Sequence, residues 1–99
     1  MNITKDYNEK ELTLSIEGRV DTITSKELEK EINEEIGNFE SLILDFTDLE
    51  YISSAGLRVL VATQKTLKAQ DIPFVIKNVN DSVGEIFRMS GFHKVLNLE

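Results

Sequence analysis

One segment carries the chain from an apolar run through a polar loop into a helix: Asp45-Phe-Thr-Asp-Leu-Glu-Tyr-Ile-Ser-Ser-Ala-Gly-Leu-Arg-Val-Leu60. The helix is expected to start at the adjacent serines Ser53 and Ser54, where unpaired backbone N–H groups and the positive end of the helix dipole stabilise an anion. Ser53 fits the N-cap position, because its side-chain oxygen could accept a hydrogen bond from the backbone N–H of Ala55 or Gly56. Ser54 would then stand in the first turn with its hydroxyl free.

The residues before this segment predict a hairpin and a helix. Two strands are expected, Ile3 to Tyr7 and Leu12 to Glu17, and Gly18 to Asp21 is predicted to form a turn. Thr24 and Glu27 have the spacing of a capping box, which predicts that the first helix begins one residue after the threonine.

The residues around and after the segment predict further alternation of strands and helices. Leu42 to Leu44 is a short apolar run without alternation, which favours a central strand covered on both faces. The second helix is expected to begin near Ser54 and to end before Pro73. Phe74 to Ile76 is predicted to be the next strand.

Two more elements complete the predicted fold. Asp81 is expected to cap a third helix, Gly91 is expected to end it, and Val95 to Leu98 is predicted to be a last strand. Strands that alternate with helices favour an α/β fold, with a mixed, mostly parallel β-sheet of four to five strands packed with three or more α-helices. Residues 1–99 are expected to form a single domain.

Parallel strands place their following loops at one edge of a sheet. Gly18 to Asp21, Thr47 to Ser54 and Asn78 to Ser82 are therefore expected to lie together, with the serine pair among them.

Composition narrows the classes of partner. The 99 residues include no cysteine, so the chain can form no disulfide. Its formal net charge of −7 disfavours non-specific binding to nucleic acid or anionic lipid. No apolar run approaches the length of a membrane span, and the N-terminus lacks the apolar core of a signal peptide. A cytoplasmic protein that binds a protein or a small molecule is expected.

The catalytic alternatives have weak support in the sequence. His93, the only histidine, is expected at the opposite edge from Ser54, so a serine hydrolase is disfavoured. Asp45, Asp48 and Glu50 could bind Mg²⁺, but solvated loop acids are the simpler interpretation. A small phosphate- or nucleotide-binding enzyme that uses the helix N-terminus as an anion site remains an alternative.

The segment from Asp45 to Leu60 resembles the phosphorylation-site segment of STAS domains, in particular that of small bacterial anti-sigma factor antagonists. Tyr51-Ile-Ser-Ser-Ala-Gly-Leu57 carries the most specific part of the resemblance. The likeness extends over nearly the whole chain: Glu17-Gly-Arg-Val-Asp21 is similar to the family's Gly-x-(Leu/Val)-Asp turn, Leu42-Ile-Leu-Asp45 to its central strand, and Met89-Ser-Gly-Phe92 to the exit of its last helix.

The resemblance implies a switch in binding to a protein partner. In that family the unmodified domain binds an anti-sigma factor, often a serine kinase of the histidine-kinase-like ATPase fold, and so frees a sigma factor. The kinase ends the interaction by phosphorylating a serine, and a PP2C-type phosphatase reverses the modification. The acceptor implied here is Ser54. Many antagonists place Asp before the acceptor and Ser or Thr after it, whereas this chain has Ser53 and Ala55, so Ser53 is the alternative acceptor.

The implied protein is a non-enzymatic binding module, with no metal or cofactor, that exists as a monomer or a weak dimer. The leading alternative is a STAS adaptor subunit of another assembly, such as a stress-signalling complex or a lipid-transport system. Asp21 is expected either to hydrogen-bond near the serines or to act simply as a turn residue. The expected partner-binding residues are Asp21, Ser53, Ser54, Ala55, Gly56 and Arg58.

Overall fold

Five β-strands and three α-helices follow one another in the computed structural model, which describes residues 1–99. Their order confirms the predicted α/β class and the expected number of elements. The elements are β1 (Asn2–Asn8), β2 (Glu11–Val20), α1 (Thr24–Glu35), β3 (Ser41–Asp45), β4 (Leu49–Ile52), α2 (Ser54–Ala69), β5 (Phe74–Lys77) and α3 (Asp81–Ser90), followed by a 3₁₀ turn over Phe92–Lys94.

The sheet is mixed and mostly parallel, as predicted. β1 pairs with β2 as an antiparallel hairpin, β2 is parallel to β3, and β3 is parallel to β5. β4 pairs with the last three residues of β2, and the register of this pairing shifts between Gly18 and Arg19. The predicted turn from Gly18 to Asp21 is therefore wrong, because pairing with β4 extends β2 as far as Val20. Gly18 has a φ of 92°, a left-handed conformation that glycine adopts without strain at such a shift.

One face of the sheet is closely packed against the helices. Burial alternates along β3, where Leu42 and Leu44 are fully buried and Ile43 between them is only partly buried. The prediction of a central strand covered on both faces is therefore wrong, although β3 does lie centrally between β2 and β5. Side chains from the strands and all three helices form a single apolar cluster, whose largest fully buried members include Phe46, Phe87, Leu12, Leu28, Ile52 and Leu60.

The helix ends differ in detail from the predictions. α3 is capped by Asn80, whose side-chain oxygen accepts a hydrogen bond from the backbone N–H of Val83 at 2.8 Å. Asp81 is instead the first residue of the helix, where its negative charge lies at the positive end of the dipole. Gly91 ends α3 in the left-handed conformation with a φ of 78°, as expected.

The C-terminal segment forms a turn rather than the predicted strand. The backbone N–H groups of Val95 and Leu96 both donate to the carbonyl of Phe92, each at 3.0 Å, which keeps this stretch coiled. Only the end of the predicted strand reaches the sheet: Leu98 forms a parallel bridge with Ile76, whose N–H donates to the carbonyl of Asn97 at 2.9 Å and whose carbonyl accepts the N–H of Glu99 at 2.7 Å. None of the three helices has the length and apolar character needed to cross a bilayer.

Candidate functional site

The three segments expected to share one edge of the sheet do meet there. The backbone N–H of Gly18 donates to the carbonyl of Asp48 at 3.0 Å, and the side-chain amide of Asn80 donates to the carbonyl of Leu49 at 2.9 Å. These contacts join the end of β2, the β3–β4 loop and the start of α3. An open, polar cleft of about 680 Å³ lies between them, lined by Glu17, Gly18, Thr47, Asp48, Leu49, Glu50, Asn80 and Ser82.

Asp45 organises the loop that leads towards the serines. Its Oδ1 accepts hydrogen bonds from the Thr47 hydroxyl at 2.6 Å, from the Thr47 backbone N–H at 3.0 Å and from Asn78 Nδ2 at 3.0 Å. These donors, the Thr47 hydroxyl above all, hold the pKa of Asp45 below its usual value. The carboxylate thus fixes the backbone of the loop. The chain holds no group of three or more His, Cys, Asp or Glu side chains placed to ligate a metal ion.

The two serines at the start of α2 have different environments. Ser53 is the N-cap residue in an extended conformation, and its Oγ accepts a hydrogen bond from the Gly56 backbone N–H at 3.2 Å, which confirms the predicted cap. The Ser53 backbone N–H donates to the carbonyl of Val20 at 2.8 Å, which ties the helix start to the end of β2. Ser54 is the first helical residue and is exposed. One serine therefore anchors the helix and the other faces solvent.

Gly56 lies in the interior, which corrects the expectation that it belongs to the partner surface. A Cβ atom at this position would lie only 2.7 Å from Ile52 Cγ1 and 2.8 Å from Val20 Cγ1. The glycine thus lets the first turn of α2 pack directly on the ends of β2 and β4.

The sequence left two roles open for Asp21, hydrogen bonding near the serines or a place in the turn, and the contacts of its side chain are those of a turn residue. Its Oδ1 accepts hydrogen bonds from the backbone N–H groups of Ile23 and Thr24, at 2.9 and 2.8 Å, and from the Thr24 hydroxyl at 3.0 Å. The Thr24 donors are the main reason that the pKa of Asp21 lies below its usual value. The predicted capping box of Thr24 and Glu27 is wrong, because Thr24 is already the first residue of α1 and its hydroxyl contacts Asp21, whose side chain caps the turn.

A groove between α1 and α2 extends away from Ser54. Ala55 and Arg58 contribute to it from α2, Arg58 as an exposed side chain one turn after Ser54. The α1 side of the groove was not predicted from the sequence, because it depends on how the two helices pack. The groove is lined by Ser25, Lys26, Glu29, Ala55, Arg58, Val59 and Ala62.

Two further side chains make contacts near the end of β2 and just after α3. Arg19 of β2 stacks over the ring of Tyr51 in β4, with the guanidinium carbon 4.5 Å from the ring centroid, a contact that sequence reasoning missed. His93 is exposed, and its Nδ1 lies 3.3 Å from the carbonyl oxygen of Phe87 at the end of α3.

The model of the STAS domain family matches residues 2–99, and the chain belongs to that family.

Two curated relatives share substantial sequence with the chain. BtrV of Bordetella bronchiseptica, which is described as an anti-sigma factor antagonist, is 33% identical over 93 residues, which cover 93% of this chain and 80% of BtrV. The anti-sigma-F factor antagonist RsfB of Mycobacterium tuberculosis is 30% identical over 86 residues, which cover 86% of this chain and 70% of RsfB.

The fold is also similar to that of the anti-sigma factor antagonist SpoIIAA from Bacillus, whose structure is known in two forms. The TM-score is 0.84 for the unphosphorylated form, with 99% of this chain and 88% of that one covered. It is 0.77 for the phosphorylated form, with 99% and 91% covered. The sequence identity is 16% in both cases, so the likeness concerns the fold.

Proposed function

We propose that this protein is a cytoplasmic, non-enzymatic anti-sigma factor antagonist. Its unphosphorylated form binds an anti-sigma factor that is also a serine kinase, and this binding releases a sigma factor. Membership of the STAS family and the names of BtrV and RsfB support this proposal. Phosphorylation of Ser54 by the same kinase ends the interaction, and a PP2C-type phosphatase restores it.

The observation that carries the proposal is the division of roles between the two serines. The Oγ of Ser53 is held at the cap of α2 by the N–H of Gly56. The hydroxyl of Ser54 stands in an exposed position that a kinase can reach without unfolding the helix. These contacts favour Ser54 over Ser53 as the acceptor.

The electrostatics of α2 allow the domain to carry a phosphate at Ser54. A phosphoserine adds a charge of about −1.5 to −2, which the positive end of a helix dipole stabilises. The first turn of α2 contains no acidic residue that would oppose it, and Arg58 lies one turn further along the same helix. We therefore expect the fold to be retained after phosphorylation.

A partner packed against the same surface would not tolerate the charge in the same way. The phosphate must lose much of its water when the complex forms, and it contacts a partner surface that is complementary to a neutral hydroxyl. Each 1.4 kcal/mol of unfavourable energy lowers affinity about tenfold, so a penalty of a few kcal/mol is enough to dissociate the complex.

The acceptor can be identified by comparing matched serine variants. Wild type, Ser53→Ala and Ser54→Ala are incubated with ATP and candidate anti-sigma kinases, and the phosphate is located by mass spectrometry. We expect wild type and Ser53→Ala to be phosphorylated at residue 54 and Ser54→Ala to remain unmodified. Phosphate that persists on Ser54→Ala at position 53 would assign the switch to the other serine.

A further inference from the structure

Ile23 is a large apolar residue at an exposed position of the turn between β2 and α1. It is 76% exposed and directly precedes α1, and its side chain makes no capping bond. Its backbone is helical, with a φ of −81° and a ψ of −51°, and the capping bonds of this turn are accepted by the side chain of Asp21. Neither burial in the core nor the stability of the helix explains an isoleucine here.

The turn that carries Ile23 is held in place by several hydrogen bonds. Asp21 accepts the backbone N–H groups of Ile23 and Thr24 through its side chain, and its carbonyl accepts the N–H of Ser25 at 2.9 Å. The carbonyl of Ile23 in turn accepts the N–H of Lys26 at 3.2 Å. The isoleucine is thus presented from an ordered backbone, so that binding through it costs little conformational entropy.

This turn adjoins the proposed phosphorylation site. Val20, which directly precedes Asp21, accepts the backbone N–H of Ser53 at 2.8 Å. Lys26, three residues after Ile23 and therefore on the same side of the helical turn, lines the same groove as Ala55. Ile23 therefore lies on the α1 side of the serine pair, where the groove between α1 and α2 begins.

The groove beside Ile23 combines apolar side chains with positive charge. Lys26 and Arg58 both line it, together with the single acid Glu29, although the chain as a whole has a net charge of −7. A partner with an acidic rim would be attracted to this part of the surface and repelled by most of the rest.

We propose that Ile23 is the apolar anchor of the surface that binds the anti-sigma factor, and that Lys26 and Arg58 flank the anchor. The inference rests on the proposed function and adds the recognition chemistry: the partner presents an apolar pocket bordered by acidic side chains. An exposed aliphatic side chain that becomes buried in a complex contributes about ten- to a hundredfold in affinity. Residues of this kind act as hot spots when neighbouring contacts exclude water.

The test replaces Ile23 without harming the fold and uses a matched control. Ile23→Asn removes an apolar side chain that is exposed in the free protein, so the melting temperature should be nearly unchanged. Met89 on α3 is 81% exposed, and Met89→Asn is the control for loss of an exposed apolar side chain elsewhere. Ile23→Val keeps an apolar anchor. The dissociation constant of each variant is measured by calorimetry with the purified serine kinase that phosphorylates the wild-type chain.

Ile23→Asn is expected to bind that kinase at least about tenfold more weakly than wild type, with Met89→Asn unchanged and Ile23→Val close to wild type. If Ile23→Asn binds as tightly as wild type while phosphorylated Ser54 still abolishes binding, the anchor is refuted and the proposed function stands. Equal losses in the Ile23→Asn and Met89→Asn variants would also refute it. If no anti-sigma kinase binds the wild-type chain, the proposed function and the anchor fail together.

Discussion

Replacement of Gly56 by alanine should destabilise the domain, although the same change stabilises most helices. Alanine is favoured over glycine inside a helix by about 0.5–1 kcal/mol. At position 56, however, the added Cβ would lie 2.7 Å from Ile52 Cγ1 and 2.8 Å from Val20 Cγ1, and both of those side chains are buried. Overpacking of this kind costs about 1–3 kcal/mol. The expected net result is a loss of about 1 kcal/mol in the free energy of unfolding.

Gly84, near the start of α3, provides the matched control. The nearest atoms to a Cβ there would be Arg88 Nη1 at 3.5 Å and Val79 Cγ1 at 3.6 Å, which are ordinary contacts. Gly84→Ala should therefore raise the free energy of unfolding by about 0.4–1 kcal/mol. Urea denaturation of the two variants and wild type measures both changes, and the loss in Gly56→Ala should lower Tm by about 4–8 °C. If Gly56→Ala is as stable as Gly84→Ala, the close packing of α2 on β2 and β4 is refuted.

Three further predictions concern the cap and the titrating side chains. Ser53→Ala should lose about 1 kcal/mol of stability in urea denaturation, and Ser54→Ala should stay within about 0.5 kcal/mol of wild type; the reverse order would contradict the assigned cap. Partial desolvation and the 2.6 Å hydrogen bond to Glu35 raise the pKa of Tyr7 to about 12, so the stability from the neutral phenol is complete below its unfolded pKa of about 10 and is lost as pH rises through the folded value. The phenolate absorbance of wild type minus that of Tyr7→Phe should show this midpoint, and a midpoint near 10 would contradict it. The hydrogen bonds in the loop lower the pKa of Asp45, so the stability from its ionised carboxylate is complete above about pH 4 and is lost as pH falls. The free energy of unfolding of Asp45→Asn should therefore decrease less than that of wild type below about pH 4. An equal decrease in both proteins would argue against those hydrogen bonds.

Local signals in the sequence were enough to predict the start of α2. The change from an apolar run to a serine pair, followed by residues with helical spacing, gave Ser53 as the cap and Ser54 as the first helical residue, and the structure agrees on both. Such signals act over a few residues, so a single sequence contains them in full.

Features that depend on distant contacts were missed or misassigned. β4 has four residues and exists because it pairs with the end of β2, some thirty residues earlier in the chain, so its own pattern resembled a loop. The same pairing makes Gly18 to Val20 part of β2, where a turn was predicted. Gly56 was expected at a surface, whereas the side chains of Ile52 and Val20 enclose it.

At the start of α1, residues with the spacing of a capping box make different contacts. Thr24 and Glu27 have that spacing, but the carboxylate of Asp21 accepts the free N–H groups of the turn. Ile23, between Asp21 and α1, is left exposed, which no periodicity argument would suggest.

The affinity of the anti-sigma kinase for the protein with and without phosphate on Ser54 tests the central proposal most directly. Protein carrying phosphoserine only at residue 54 is compared with the unmodified protein by calorimetry, and two-dimensional amide NMR spectra report on the fold of each form. We expect the phosphorylated form to bind at least about a hundredfold more weakly, which corresponds to about 2.7 kcal/mol, with shifts in the spectrum confined to the start of α2 and its neighbours. Equal affinity of the two forms, or a spectrum that shows α2 unfolded by the phosphate, would contradict a switch that acts through charge at an intact surface.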